Sequence, residues 1–363
     1  MEGIGRFSHQ VLRRLVRRRS EDEFVFLFDR PFDPAFLYAP NVTGHVLPPP
    51  ARHPWLWYLW FEWAVPFAIR RFGADCLLSP DNFSSLRSPV PAVVVIHDLA
   101  YLHYPEHIPR HMLPFLRRYT PRYCRRAAQL LAVSEYTRRD LIRQFDIPPE
   151  RIHLTCNGPR EGLRPLTEHE AHRARARYSQ GRPYFLYVGA VHPRKNVHRL
   201  IQAFDRFKTR TASPAKLLLA GRFAWKADAV RMAWERARHR QDVHFLGYVS
   251  DGELPALLGG ALALAYVSLF EGFGIPVLDA LQADVPVITS NVSSLPEVAG
   301  RAGLLVAPES TDAIAQAMEQ LWLHPRLREE LKALGKEQRG KFSWERAVDG
   351  VDRALQQAWP PGG

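Results

Sequence analysis

Between residues 183 and 323 the chain alternates short apolar runs with amphipathic stretches. Pro183–Gly189 (PYFLYVG) is an apolar run closed by glycine, and Asn196–Phe207 then takes helical spacing. Ala215–Gly221 (AKLLLAG) reads as a buried strand, followed by a charged helix around residues 227–240. Val243–Leu246, Ala261–Val267 and Val285–Thr289 add strands, with helices near Gly252–Leu258, Pro276–Ala283 and Asp312–Leu323. Buried strands alternating with helices predict an α/β fold with a parallel, doubly wound sheet. The first half repeats the pattern less regularly. Glu23–Phe28, Ala74–Ser79, Ala92–His97 and Gln129–Ser134 read as strands, and Pro114–Ala127 and Thr137–Gln144 as helices.

Asn157-Gly158-Pro159 is a turn signal, and the polar stretch to residue 181 reads as a linker. Two domains are expected, 1–163 and 164–342, facing a cleft, with a final helix over about 343–363 packing back on the first. Ligands of such sheets sit at the carboxyl ends of the strands. The chain opens on a helix at Gly3-Ile4-Gly5-Arg6, so the strand that should precede a glycine-rich turn has no residues here. Its absence should leave an unpaired seam in the first sheet. In Trp55–Trp63 (WLWYLWFEW) and beyond, Trp60, Trp63 and Phe67 fall on one face of a helix, which predicts a core face. Aromatics at a membrane interface are the alternative.

The composition, 46% hydrophobic and 24% charged over 363 residues, excludes a disordered chain. Three scattered cysteines form no C-x-x-C pair and fit a reducing compartment. No apolar run reaches the length of a spanning helix, and the first twenty residues lack a signal-peptide core, so a soluble, cytoplasmic protein is expected. Lys and Arg exceed Asp and Glu by 49 to 37, giving +12. Such a field favours anionic partners without choosing among them. The cluster Arg13–Arg19 is the candidate for peripheral contact with an anionic membrane at the inner face; a solvated helix face is the other reading.

Two stretches carry candidate chemistry. In Tyr266–Asp284 (YVSLFEGFGIPVLDALQAD), a strand ends at Glu271, a Gly-Phe-Gly turn follows, and a helix begins at Pro276. Free amides and the positive end of the helix dipole would point at the turn, where Gly272 and Gly274 admit a ligand close to the backbone. Glu271 and Asp279 would flank it, suiting a ligand with both phosphate and hydroxyl groups; carboxylates that only cap the helix are the alternative. In Tyr187–Asn196 (YVGAVHPRKN), Arg194 and Lys195 lie beyond a strand end, where a guanidinium and an ammonium suit a diphosphate. A solvated Arg-Lys pair is the plainer reading.

These stretches, with Ser293-Ser294-Leu295-Pro296-Glu297, resemble the retaining GT-B glycosyltransferases of family 4 (group 1). That family has G-x-x-x-x-[RK]-K-[GN], E-G-F-G-x-P-x-x-E-[AG] and a Ser-x-x-Pro-Glu turn. Gly3–Phe7 is similar to its N-terminal glycine-rich loop, His97-Asp98-Leu99 to its H-D-L, and Val133–Thr137 to its V-S-x-x-T. The resemblance runs from residue 3 to the Phe342–Trp344 region. It implies two Rossmann-like domains, the first binding acceptor and the second a nucleotide-sugar donor. By matching position, Arg194 and Lys195 would hold the donor diphosphate, beyond Gly189 of the same motif, and stabilise charge on the leaving nucleotide. Glu271 would contact hydroxyls of the transferred sugar, near the amides of Phe273, Gly274 and Ile275. Asp279 would bind the ribose diol, one methylene shorter than the family's usual Glu. His97 would line the sugar pocket, Gly5 would approach phosphate or acceptor, and Phe245–Val249, with Tyr248, matches a base-binding segment.

The H-D-L with Tyr101–Pro109 looks most like bacterial mannosyltransferases of polysaccharide assembly. GDP-mannose is accordingly the preferred donor, and a polysaccharide or lipid-linked oligosaccharide the acceptor. Transfer with retention, assisted by the leaving phosphate, assigns no protein general base. No Asp-x-Asp occurs, and Pro105 and Pro109 interrupt the helical spacing of His103, His107 and His111, so no metal and no other cofactor is expected. Two other classes stay open. One is an inactive glycosyltransferase-like nucleotide- or glycan-binding protein, drawing on Asp279 and the missing strand. The other is a nucleic-acid-binding protein, drawing on charge alone and supported by no recognisable module; no nucleic-acid partner is expected.

Overall fold

The computed structural model describes residues 3–224 and 228–359. Residues 225–227 and 360–363, which hold the start of the expected 227–240 helix and the end of the 343–363 segment, lie outside them. The chain divides into two compact units, residues 1–158 with 343–363, and 159–342. The division falls between Gly158 and Pro159 rather than at 163/164, and the 158–181 stretch is not a plain linker.

In the first unit the order is α1 (Gly3–Arg18), β1 (Phe24–Phe28), β2 (Val42–Val46), α2 (Pro54–Leu59), a π-helical turn (Trp60–Ala64), α3 (Val65–Phe72), β3 (Leu77–Ser79), β4 (Ala92–Ile96), α4 (Ala100–His103), α5 (Leu113–Arg126), β5 (Gln129–Ala132), α6 (Glu135–Phe145) and β6 (Ile152–Leu154). The second holds α7 (Glu168–Ser179), β7 (Tyr184–Val188), α8 (Val197–Thr211), β8 (Lys216–Ala220), α9 (Asp228–Arg236), β9 (Val243–Gly247), α10 (Leu254–Gly259), β10 (Ala263–Tyr266), α11 (Ile275–Gln282), β11 (Val287–Ser290), α12 (Leu295–Ala299), β12 (Gly303–Val306), α13 (Thr311–Leu323) and α14 (Pro325–Arg339). The last helix, α15 (Trp344–Ala358), belongs to the first unit.

The second unit is one parallel sheet in the order β12-β11-β10-β7-β8-β9. Its central strands are almost wholly apolar and buried, Lys216 and the half-buried Val188 being the exceptions at strand ends, as helices on both sides of a parallel sheet require. Before it, Thr167 and Glu170 form a reciprocal capping box, with Thr167 Oγ1 accepting from the Glu170 amide at 3.3 Å and Glu170 Oε2 from the Thr167 amide at 2.8 Å. That box starts α7 where polar composition alone reads as linker.

The first unit carries the expected seam. Its strands form two separate parallel sheets, β1-β2 and β3-β4-β5-β6. A cavity of about 790 Å³ lies against all of β1 and all of β3, walled by Leu12 of α1 and by Val65, Ile69 and Phe72 of α3. β1 reads FVFLF, yet each of its residues is only partly buried. Packed interiors hold few voids larger than a water, so this space separates two unpaired strand edges rather than filling a core.

The Trp-rich helix departs from expectation. Trp60 is partly buried and donates from Nε1 to the Leu47 carbonyl at 3.0 Å, but Trp63 and Phe67 are 55% and 62% exposed. The π-helical turn Trp60–Ala64 explains the correction: its wider turn shifts the phase, so Phe61, Val65 and Ile69 take the core side instead.

α15 packs closely on β6. The Thr155 hydroxyl donates to the Ala347 carbonyl at 2.9 Å, and a Cβ on Gly350 would stand 2.1 Å from the Leu154 carbonyl oxygen. Along α1, Arg14, Arg18 and Arg19 pair with Glu345, Asp349 and Asp352 at 3.0, 2.6 and 2.6 Å. Much of the charge of the Arg13–Arg19 cluster is therefore answered by α15, which weakens that cluster as a membrane contact.

Candidate active site

The carboxyl ends of adjacent strands β7 and β10 bring Arg194, Lys195 and Glu271 together. After β7 the chain turns through Gly189 into a short 3-10 turn, Pro193–Lys195, capped by His192 Nδ1 on the Arg194 amide. Buried Asn196 then clamps the turn by donating from Nδ2 to the carbonyls of Val267 and Pro308 at 3.0 and 2.7 Å. Beyond β10, the Leu269 amide donates to the Arg194 carbonyl at 2.8 Å, tying the two loops to each other.

Lys195 Nζ lies 2.6 Å from Glu271 Oε1 and donates to the Tyr266 hydroxyl at 2.8 Å, while that hydroxyl donates to the same Oε1 at 2.8 Å. Arg194 Nη1 reaches Glu271 Oε2 at 3.3 Å and the Phe270 carbonyl at 2.6 Å. Burial works to raise the Glu271 pKa, but Lys195 and Arg194 outweigh it and hold the carboxyl at about 2. Glu271 is thus a carboxylate at any working pH, and one anion faces two cations. A diphosphate would find a site with a net positive charge and donors already in place.

The serines of Ser293–Glu297 hold the backbone that carries this carboxylate. Ser293 Oγ accepts from the Glu271 amide at 3.0 Å, and buried Ser294 Oγ donates to the Glu271 and Phe273 carbonyls at 2.9 and 2.8 Å. Gly274 has φ +107 and caps α11 with no side-chain hydrogen bond, so the positive helix end is left to backbone amides. The helix begins at Ile275, with Pro276 second rather than first. Phe273 is buried and meets Phe342 edge-on at 5.5 Å.

Asp279 is 2% exposed, and Arg160 already engages it: the Arg160 amide donates to Oδ1 at 2.8 Å and Nε to Oδ2 at 3.4 Å, with Asp251 on the same guanidinium. Tyr248 is exposed beyond β9, with the Arg222 guanidinium 4.6 Å from its ring centroid.

Gly5 and His97 belong to the other unit. Gly5 sits inside α1 rather than in a glycine-rich loop, and it lines the cavity at the seam. His97 follows β4; its Nε2 lies 2.7 Å from the Pro80 carbonyl, so that nitrogen carries the proton. Phe7 meets its ring edge-on at 5.1 Å. Burial lowers the His97 pKa, more than its bond to Pro80 and the nearby Asp98 raise it, which keeps the ring neutral near pH 7. Among the described residues no group of three His, Cys, Asp or Glu is placed to hold a metal ion, and His103 instead pairs with Asp140 at 2.7 Å. Nor is any helix among them long and apolar enough to cross a membrane.

Sequence reasoning passed over Tyr266, Asn196 and Arg160. Tyr266 sits in an apolar run where an aromatic reads as core, and Arg160 reaches Asp279 from far along the chain. Only the Ser293–Glu297 turn had a legible signal.

Comparison with known proteins identifies the family and the fold. The family described as "Glycosyl transferases group 1" matches residues 168–338, and "Glycosyltransferase Family 4" matches residues 1–159. The chain is 31% identical over 358 residues to O-antigen chain mannosyltransferase B of Escherichia coli, covering 95% of this chain and 93% of that one. It is 25% identical over 290 residues to O-antigen chain mannosyltransferase RfbU of Salmonella typhimurium, covering 79% and 76%. Among solved structures it superposes on WaaG, a glycosyltransferase involved in lipopolysaccharide biosynthesis, with a TM-score of 0.77 at 16% identity over 100% of this chain and 97% of that one. Anabaena HepE in complex with UDP and glucose matches with a TM-score of 0.72 at 17% identity, over 96% and 95%. Two Rossmann-like units of the GT-B fold, with Arg194, Lys195 and Glu271 at strand ends of the second, belong to a hexosyltransferase: the chain is a member of the group 1, family 4 glycosyltransferases.

Proposed function

We propose that the protein transfers mannose from GDP-mannose, with retention, to a hydroxyl of a polysaccharide or lipid-linked oligosaccharide. The observation that carries this reading is the cluster of Arg194, Lys195 and Tyr266 around Glu271. Arg194 and Lys195 hold the donor diphosphate and stabilise the charge that develops on the leaving nucleotide, the electrostatic contribution that preorganised cations make. Two cations of protein origin meet that charge, so transfer proceeds without a divalent ion. Glu271, held near pKa 2, is too weak a base to take a hydroxyl proton at neutral pH and serves instead as an acceptor for sugar hydroxyls. The acceptor proton passes to the departing phosphate. Asp279 takes the ribose diol once Arg160 yields one of its oxygens, and Tyr248 borders the base. In the first unit His97, neutral and with Nδ1 able to accept, lines the sugar side, and Gly5 borders the acceptor. Relatives that act on O-antigen chains support mannose and a glycan acceptor.

The test is thermal stability of the purified chain with GDP, UDP, ADP and dTDP and their common sugar conjugates, with and without EDTA. A ligand at about one hundred times its Kd adds about 2.7 kcal/mol, or a few degrees in Tm for a chain of this size. We expect GDP and GDP-mannose to give that shift, EDTA to leave it intact, and Lys195→Ala to abolish it. A shift with UDP or dTDP alone removes the donor assignment. No shift with any nucleotide, from a cooperatively unfolding protein, favours the inactive-relative reading, for which the prior occupation of Asp279 by Arg160 would be the physical cause.

A further inference from the structure

Two carboxylates near the strand ends of the second unit are paired with cations, and the pairs differ in what a bound donor asks of those cations. At Glu271 the partners are Arg194 and Lys195, which turn to the diphosphate as sugar hydroxyls take their place on the carboxylate. At Asp279 the partner is Arg160, which has no phosphate to meet. Its guanidinium has to move aside before a ribose diol reaches the carboxylate.

The structure provides for that movement. Arg160 meets Asp279 twice: its amide donates to Oδ1 at 2.8 Å, whereas Nε lies 3.4 Å from Oδ2. Charge-assisted hydrogen bonds close to about 2.7–2.9 Å, so the side-chain contact is the looser of the two. Leu163 is buried, and its carbonyl accepts from Gln282 Nε2 of α11 at 3.4 Å, a second backbone tie of segment 160–163 to that helix. The side chain can therefore turn while the backbone stays. Arg160 Nη1 is already paired with Asp251 Oδ1, in the loop after β9. Asp251 is 58% exposed, so a guanidinium that leaves Asp279 keeps a carboxylate at the water's edge and is not stranded as a buried charge. Asp279 is provided for as well. A carboxylate offers about four lone-pair positions, enough to keep the Arg160 amide and accept both hydroxyls of a vicinal diol.

We propose that Arg160 is an internal competitor for the ribose site. Its guanidinium sits on Oδ2 of Asp279 in the free chain, turns onto Asp251 when the diol of a nucleoside diphosphate binds, and returns as the spent nucleotide leaves. The inference rests on the placing of ribose at Asp279 in the proposed function, and it adds the residue that sets how tightly that ribose is held. Arg160 acts through Asp279 and is a positioning residue. Competition has a signature that a purely structural ion pair lacks. Removing the guanidinium takes a partner from buried Asp279 in the free chain but leaves the contact between Asp279 and the diol intact. The free chain is then less stable, yet the nucleotide binds more tightly. The gain also requires the diol.

The experiment is calorimetric titration of GDP and of 2′,3′-dideoxy-GDP into the full chain and its Arg160→Ala and Arg160→Gln variants, with the Tm of each free protein. We expect Arg160→Ala to lower Tm and to tighten GDP about tenfold, the scale of one hydrogen bond to a charged group. Arg160→Gln, which still carries a donor but no charge, should fall between. The dideoxy nucleotide should bind all three proteins alike. GDP binding that is unchanged or weaker in both variants overturns the proposal. An equal gain for the dideoxy nucleotide overturns it too, because the influence of Arg160 would then lie away from the diol. If the unaltered chain binds UDP in place of GDP, UDP and dideoxy-UDP carry the same comparison and only the donor assignment falls. If it binds no nucleotide, binding that emerges in Arg160→Ala supports the competitor, and none in either protein overturns it together with the ribose assignment.

Discussion

In the second unit six parallel strands run unbroken from β12 to β9, whereas in the first, six parallel strands fall into a pair and a quartet with a cavity between them. The residues are not to blame. β1, FVFLF, is as apolar as β7, YFLYV, but β7 is bonded on both sides and buried while β1 has a neighbour on one side and remains half-buried. Burial of a parallel strand therefore depends on completion of the sheet around it and not on composition alone. The site follows the same division. Arg194, Lys195 and Glu271 stand on the closed sheet, where neighbouring strand ends fix them to within hydrogen-bond distance.

The sharpest way to break this comparison is to remove one phenylalanine from each sheet. Phe185 is fully buried in β7 and meets Phe207 edge-on at 5.4 Å. Phe185→Ala should cost about 3–5 kcal/mol, read from denaturant unfolding. Phe26 lies in β1 against the cavity, and Phe26→Ala should cost only about 1 kcal/mol, because much of its surface is already outside a packed core. Equal losses would mean that the seam is closed in solution.

Next in size is the effect on transfer. Lys195→Ala removes a cation from the place where leaving-group charge develops and should lower kcat about 10²–10³-fold. Tm reports separately on any damage to the unit. Lys195→Arg, which keeps the charge but not the geometry, should recover only part of the loss. His97→Ala, on the open unit, should act more on the sugar substrates' KM than on kcat. A loss from His97→Ala equal to that from Lys195→Ala would place the decisive chemistry in the first unit.

How far the sequence disclosed all this follows the same line. Long apolar runs such as 215–221 and 261–267 reveal their strands because a doubly covered strand must be apolar throughout. β2 (VTGHV) and β6 (IHL) are too polar or too short for that signal, and β12 (GLLV) was passed over although it is as long as β10 and β11. The π-helical turn was invisible, since periodicity analysis assumes one pitch and placed Trp63 and Phe67 with Trp60 on a core face. At the site, the spacing of Arg194, Lys195 and Glu271 was legible because strand-end loops of a parallel sheet converge. Arg160 on Asp279 was not, since nothing local marks a partner 119 positions away.

The smallest expected effect is also the most specific, because acid should act on the two units in opposite senses. Glu271 is held at about 2 against an ordinary 4.5: burial opposes this, and Lys195 and Arg194 prevail. Between those values the unfolded chain binds the extra proton, so the contribution of Glu271 is complete above about pH 4.5 and is lost as pH falls toward 2. Its size is on the order of 3 kcal/mol. Asp81 lines the cavity of the first unit, and burial lifts it from 3.8 to about 6 although the Ser79 hydroxyl, 3.1 Å away, works to lower it. Here the folded chain holds the proton longer, so stability is greatest below about pH 4 and declines as pH rises through 6. Water reaching the cavity reduces this to about 1 kcal/mol. Hydrogen exchange followed by mass spectrometry should show β1 and β3 peptides opening more readily at pH 7.5 than at pH 5, with β7 and β10 unchanged over that range. Asp81→Asn should erase the first trend. A common response of both sheets, or an unchanged trend in Asp81→Asn, would remove Asp81 as its cause and leave the open edges of β1 and β3 as the whole difference between the units.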